Sequence, residues 1–340
     1  DTTYTMTATE VIPGIPITTY GNDSTWIATS DVWPVYMTHI GDALYFMGYE
    51  EATGWELWAH GLSNATTWQV ADLNSGSGTG LDLWHHQTDG PMVVGDTIYF
   101  SGDDGTGFEL WAYDTSNSTM WQISETWDRS FLSSDYNYQT GDRMFHLIGD
   151  TLYFDAATTV GSELTIQIWA HDISNHSTWR VAGHDDLQRV GWTGSVAMGD
   201  SFFFGAEDDI TGFEPWGYNT SNGTFWQIAD IYPTEGNLGD SQPFNNMDQA
   251  SMPIFDRDGD GIEDTLYFTA ESDWGDAEWW AYSDLNATTW QVSDSISHDG
   301  YRGMSVIEQV IIGDAFTSRP IQGPLSRAGP SGGPTTRPTT

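Results

Sequence analysis

The chain reads as an all-β protein of four-stranded antiparallel sheets, and three observations in its 340 residues lead there. A block of roughly fifty residues recurs in fixed order. Each copy holds four short aromatic or β-branched runs separated by Gly, Asp and Asn turns. The 18 Trp, 15 Tyr and 15 Phe supply large side chains for both faces of every sheet. Four-strand units at this period match the blades of a β-propeller, whose sheets pack face to face.

The block starts with an apolar segment ending in Gly-Asp. A Tyr-Phe strand, an acidic Gly-rich loop, a Glu-x-Trp strand and an Asn-x-Ser/Thr turn before another Trp follow. The first full copy is "IGDALYFMGYEEATGWELWAHGLSNATTWQVAD" and the second is "VGDTIYFSGDDGTGFELWAYDTSNSTMWQIS". The third, "IGDTLYFDAATTVGSELTIQIWAHDISNHSTWRVAG", has a longer central loop. The fourth and fifth begin at "MGDSFFF" and "IEDTLYF". The aspartates Asp42, Asp96, Asp150, Asp200, Asp264 and Asp314 mark the repeat at intervals of 54, 54, 50, 64 and 50 residues. Most of the tryptophan is therefore expected to be blade packing.

The ends suggest how a ring closes. "PITTYGNDSTWIATSD" looks like the last two strands of a blade, and "EQVIIGDAF" looks like the first strand and the start of the second. Joined, they predict a sixth blade shared between the termini. The expected organisation is an N-terminal arm over 1–15, a propeller over 16–316 and a Pro/Thr/Gly-rich tail over 317–340. The tail is flexible or non-native on this reading, and is expected to complete its strand poorly.

The chain carries 49 Asp plus Glu against 9 Arg and no Lys, a formal charge of −40. Such a chain repels nucleic acid and anionic membrane surfaces, whose binding rests on Lys and Arg. Because the acid is spread along most of the chain, adaptation to high ionic strength explains it better than one acidic binding face. There is no Cys, hence no disulfide or thiolate chemistry. No apolar run approaches membrane-spanning length. Asp1 opens without a signal pattern, so the chain is read as a mature product.

The "GDTLYF", "DDGTGFELWAYD" and "TTWQVAD" stretches resemble kelch-type propeller repeats. They resemble still more the secreted bacterial and archaeal repeat proteins built on an "ELW" block. The resemblance spans roughly Pro16 to Phe316 and implies a propeller in an exported or surface-displayed product. It departs from kelch in lacking a regular Gly-Gly after the second strand. A sialidase is disfavoured, because the turn before the Trp lacks the Asp and Gly positions of that family and the Arg residues are scattered.

"FDRDGDGIEDTLYF" is the one insertion that breaks the regular Gly-Asp turn. Asp256, Asp258 and Asp260 stand at alternate positions, Gly261 provides the sharp turn, Ile262 a backbone carbonyl and Asp264 a further carboxylate. Hard cations take several oxygens at short range, so this spacing predicts a calcium site. Tyr267 occupies the place of the usual bidentate Glu, so the loop belongs to a shorter type than the EF-hand. A site in one blade predicts local stabilisation.

Asn22, Asn64, Asn117, Asn175, Asn222 and Asn286 each begin Asn-x-Ser/Thr. Two explanations stay open: N-glycosylation of an exported protein, and a hairpin that requires Asn in its turn. Glu56, Glu109, Glu214 and Glu278, with Gln167 in the third copy, precede the repeat Trp, and their repetition predicts a structural hydrogen bond in every blade. His60 and His171 replace a repeat Tyr and are expected to be packing residues. His85, His86, His184 and His298 fall in the loops between blades, beside the acidic loops; they are read first as solvated loop residues, with a candidate ligand face as the alternative. The calcium loop and the Asn turns should lie on the opposite face.

The expected function is that of a secreted or cell-surface structural or interaction module, with a protein or glycan partner and bound calcium, N-glycosylation staying open. A carbohydrate-active enzyme using carboxylates of the acidic loop face, and a self-assembling filament or surface-layer subunit, are the alternatives.

Overall fold

Two-residue Gly-Asp turns and alternating apolar side chains dictate tight antiparallel hairpins, and the computed structural model shows them. It describes residues 32–81, 91–124, 144–160, 163–183, 186–191, 193–233, 239–244, 252–257, 259–273, 277–292, 306–312 and 315–320. The first sheet comprises β1 (Trp33–Ile40), β2 (Ala43–Glu50), β3 (Gly54–Gly61) and β4 (Thr66–Gln69). The second comprises β5 (Met92–Val94), β6 (Thr97–Asp103), β7 (Phe108–Asp114) and β8 (Thr119–Gln122). In the third are β9 (Phe145–Ile148), β10 (Thr151–Val160), β11 (Glu163–Asp172) and β12 (Ser177–Arg180). The fourth holds β13 (Ser195–Met198), β14 (Ser201–Asp208), β15 (Gly212–Asn219) and β16 (Thr224–Gln227), with β17 (Gly239–Asp240) pairing parallel to β15. The fifth holds β18 (Ile254–Phe255), β19 (Thr265–Glu271), β20 (Ala277–Ser283) and β21 (Thr288–Gln291). Finally β22 (Val306–Ile312) pairs with β23 (Ala315–Pro320).

Each of the five sheets keeps its four repeat strands in sequence order, paired antiparallel. Consecutive sheets then share cores. Tyr45, Met47, Leu57 and Ala59 of the first meet Ile98, Phe100 and Tyr113 of the second. Tyr99, Leu110 and Ala112 meet Leu152, Phe154 and Ala156. Tyr153, Ile168 and Ala170 meet Phe202, Phe204 and Tyr218, and Phe203 meets Leu266, Phe268 and Tyr282. One ring pair recurs at every one of these junctions. A second-strand aromatic of one blade faces a third-strand ring of the next: Tyr45–Tyr113 at 6.0 Å, Tyr99–His171 at 6.3 Å, Tyr153–Tyr218 at 6.1 Å and Phe203–Tyr282 at 5.5 Å. Tilted pairs at this separation are favourable beyond their area burial. The repeated Tyr positions are thus blade-to-blade contacts, and His171 fills one as the sequence implied.

Two differences from the sequence reading stand out. The longer central loop of the third copy is strand: β10 and β11 pair from Thr151↔Asp172 out to Val160↔Glu163. The extra residues, "TTV" and "ELT", include β-formers that continue the ladder. At the other end, β23 continues through Thr317–Pro320, past the boundary drawn at Phe316, pairing Thr317 with Val310 and Arg319 with Glu308. The N-terminal strands expected over 16–30 lie outside the described residues, as do the 1–15 arm and the tail beyond Pro320. No described helix is long and apolar enough to cross a membrane.

The turns carry their own constraint. Gly41 has φ 61° and an added Cβ would meet nothing within 4 Å. Gly54 has φ 73°, and a Cβ there would lie 2.3 Å from the Gly78 carbonyl oxygen, on the connection to the next blade. Gly41→Ala should cost about 1–2 kcal/mol, the left-handed backbone penalty alone. Gly54→Ala should cost clearly more, because backbone cannot step aside. Urea unfolding of both variants checks this, and equal losses would contradict the close approach.

Candidate functional site

The repeated glutamate is buried in the middle of its sheet and faces the loop that leaves the blade. Glu56 on β3 is 0% exposed. Its Oε2 accepts the Leu73 N–H at 2.9 Å and its Oε1 the Asn74 N–H at 3.3 Å. Gly80 packs so closely on the carboxylate that a Cβ would come within 2.5 Å of both oxygens. Glu214 on β15 does the same, accepting the N–H of Ile231 at 2.9 Å and of Tyr232 at 3.2 Å. Glu109 accepts the Ser124 hydroxyl at 2.6 Å, and that oxygen accepts the Leu110 N–H. Gln167 donates to the Leu187 carbonyl at 3.2 Å and accepts from Arg180 at 2.9 Å. Glu278 is 1% exposed. The hydrogen bonds of Glu56, Glu109, Gln167 and Glu214 match the structural role expected from repetition.

The same loops bridge neighbouring blades through their backbone. Leu81 N–H donates to Trp55 behind it, while the Gly80 carbonyl accepts from Asp103 ahead. Ser241 repeats this between Phe213 and Glu271. Acidic residues at the β2–β3-type loops also serve their own backbone. Asp103 Oδ1 accepts the N–H of Gly105 at 2.8 Å and of Gly107 at 2.7 Å. Asp208 Oδ1 accepts from Ile210 and Thr211. His85, His86, His184 and His298, the residues of the candidate ligand face, all lie outside the described residues.

At the other end of the strands, the carbonyls of Asp42, Asp96, Asp150, Asp200 and Asp264 accept the N–H of Leu62, Thr115, Ile173, Thr220 and Asp284. This bond ties the turn before each second strand to the adjacent hairpin, so the acidic insertion and the Asn-x-Ser/Thr turns share one end, as expected. In these hairpins Asn64 Oδ1 accepts both the N–H and the hydroxyl of Thr66, at 3.0 and 2.8 Å. Asn117 does so with Thr119 and Asn222 with Thr224. Asn175 accepts the Ser177 N–H and Asn286 the Thr288 hydroxyl. The residue after each Asn is left-handed: Ala65, Ser118, His176, Gly223 and Ala287 have φ between 52° and 71°. The Asn-x-Ser/Thr pattern is therefore a working part of the hairpin. Asn22 lies outside the described residues.

In the acidic insertion, the chain wraps around one carboxylate. Asp256 Oδ1 accepts the N–H of Gly259 at 2.6 Å and of Asp260 at 3.2 Å, and Oδ2 that of Gly261 at 2.7 Å. Asp260 accepts the Ile262 N–H at 2.9 Å, and the buried Asp264 accepts from Arg257 N–H at 3.0 Å. Arg257 stacks over Trp290 at 5.1 Å. Asp258 lies outside the described residues. Among the described residues no group of three or more His, Cys, Asp or Glu side chains converges as a metal site.

Three histidines are held below their ordinary range, His60 among them through burial. Burial pushes His146 down to about 3, and its Nε2 lies 2.8 Å from Ser195 Oγ across the third and fourth sheets. Burial, with His176 beside it, lowers His171 to about 4.

No known protein-family profile matches the chain, and no curated protein matches it in sequence. Solved structures do match its fold. A prolyl endopeptidase, from a structural and mechanistic analysis of two such enzymes, covers 85% of this chain at 10% identity with a TM-score of 0.50. TolB from Acinetobacter baumannii covers 73% at 13% identity and a TM-score of 0.39. Dipeptidyl peptidase 4 from Porphyromonas gingivalis covers 77% at 9% identity and a TM-score of 0.46. The chain spans 39%, 50% and 38% of these three proteins, respectively. At such identity the endopeptidase match shows a β-propeller-like all-β fold and nothing about activity.

Burial raises Glu56 and Glu214 to about 7, outweighing the amides that favour their ionised form. The folded state then holds protons that the unfolded chain releases above its ordinary carboxylate range. Their contribution to stability is fully present below about pH 4.5 and is lost as pH rises through 7. In a salt-screened buffer the melting temperature of the parent should fall across that window. Glu56→Gln should flatten the fall; an unchanged slope would contradict the assignment. Asn222→Ala should cost about 1 kcal/mol in urea unfolding, while Asn222→Asp keeps the accepting oxygen and much of the stability.

Proposed function

We propose that the chain is a secreted or surface-displayed β-propeller serving as a structural or binding module. In this reading six blades form the ring, the last completed by strands from both ends. Calcium binds in the insertion through Asp256, Asp258, Asp260, the Ile262 carbonyl and Asp264. The observation that carries the module reading is the employment of the acidic residues. Glu56, Glu109 and Glu214 hold the connecting loops from inside the sheet, and Asp103 and Asp208 fold their own turns. A glycosidase needs two accessible carboxylates flanking its substrate; these are engaged in the scaffold. The resemblance to exported "ELW" repeat proteins supports the location, and the alternate-position aspartates of the insertion support the ion.

Asn117 and Asn175 each donate Nδ2 to a neighbouring carboxylate, Asp114 and Asp172, at 2.8 Å. Glycans on this chain are therefore proposed chiefly at Asn64, Asn222 and Asn286, with Asn22 as a further acceptor.

Calcium added to chelator-treated protein should raise the melting temperature, and Asp260→Ala should abolish the rise. No shift in the parent would overturn the calcium site. On a glycan array the protein should bind without turnover. Bond cleavage lost on Asp208→Asn would instead establish an enzyme.

A further inference from the structure

One hairpin departs from the repeat in a way that its neighbours make legible. Where three blades have Tyr113, Tyr218 and Tyr282, β11 carries His171. Where four hairpins place Ala65, Ser118, Gly223 and Ala287 after the Asn, the third places His176. The first blade also has a histidine, His60, but Ala65 gives it no second imidazole at that position.

His171 is 1% exposed. Its Nδ1 lies 2.8 Å from Thr178 Oγ1, and the Thr178 hydroxyl in turn donates to the Ile123 carbonyl at 3.4 Å. With its proton directed to Ile123, the hydroxyl accepts Nδ1–H, and in that tautomer Nε2 carries a bare lone pair. That Nε2 is buried and has no hydrogen-bond partner among the described residues. An unsatisfied buried acceptor costs about 1–3 kcal/mol, so such atoms call for an explanation. The His176 ring stands 6.1 Å from the His171 ring, inclined by 34°. With metal–nitrogen bonds of about 2.0–2.1 Å, two imidazoles on one tetrahedral ion hold their ring centres about 5 Å apart, so the exposed His176 ring has to close by only about 1 Å to share an ion with His171. Tyr99 at 6.3 Å from His171 and Trp121 at 6.2 Å from His176 wall the pair from the preceding blade.

We propose that His171 Nε2 and a ring nitrogen of His176 together bind a divalent transition-metal ion of the zinc, nickel or copper type, with water completing its shell. Imidazole nitrogen suits these ions, whereas calcium takes oxygen ligands. The site is thus chemically separate from the acidic insertion, and it pins a hairpin tip onto the junction of the second and third blades.

The repeat itself supplies the variants. His176→Ala installs the residue of two other hairpins, and His171→Tyr that of three other blades, so each keeps a side chain the fold already accepts. Chelator-treated protein, resaturated with calcium, is titrated with zinc by calorimetry and by thermal melting. The parent should gain a zinc-dependent rise in melting temperature, and both variants should lose it while melting near the parent when metal-free. Copper-loaded parent should show two-nitrogen coupling in electron paramagnetic resonance, reduced in His176→Ala. Should His171→Tyr fail to fold, His176→Ala with the copper spectrum still decides. A zinc response surviving His176→Ala, or no zinc response in the parent, would overturn the site.

Discussion

The carboxylate of the third strand is where sheet, connecting loop and neighbouring blade meet. A four-stranded sheet with two apolar faces is stable only between two others, so each chain exit must be held close enough for the next sheet to dock. A loop in that position buries backbone N–H groups, which need acceptors. Glu56 and Glu214 supply two acceptors each from inside the sheet, and Glu109 holds its loop by accepting the Ser124 hydroxyl. Removing such a group would leave those amides buried and unbonded, at about 1–3 kcal/mol each. The ring pairs at the blade junctions then stack in register along the chain.

This division of labour accounts for much of the chain's acidity at the local level. Asp103, Asp208 and Asp256 each gather two or three amide N–H groups of a tight loop. Asp114 and Asp172, at the hairpin ends, are held below the usual carboxylate range, first by the Ser116 and Ser174 hydroxyls. A fold of turns needs many such short acceptors. The surplus of charge beyond them gives a strongly anionic surface, whose self-repulsion salt screens.

The blade plan was legible because a fifty-residue repeat exposes which positions every unit needs. Repetition also told the glutamates apart from a catalytic pair, and it placed the Asn turns and the acidic insertion at one end of the strands. Two things were hidden. "TTVGSELT" contains a Gly that reads as a loop, yet β10 and β11 continue along most of it because cross-strand pairing overrides a local breaker. His171 looked like a packing residue, and it is one; its buried, unpartnered Nε2 is visible only in three-dimensional contacts. Asp258, Asn22 and the histidines of the inter-blade loops lie outside the described residues.

Amide hydrogen exchange reads the central constraint most directly. The N–H groups of Leu73, Asn74, Ile231 and Tyr232 sit in connecting loops, where exchange is ordinarily fast. Bound to buried carboxylates, they should exchange as slowly as the strand amides of β3 and β15, and those of Leu73 and Asn74 should speed up in Glu56→Ala. Exchange of all four at the rate of the exposed hairpin tips in the parent protein would contradict the account.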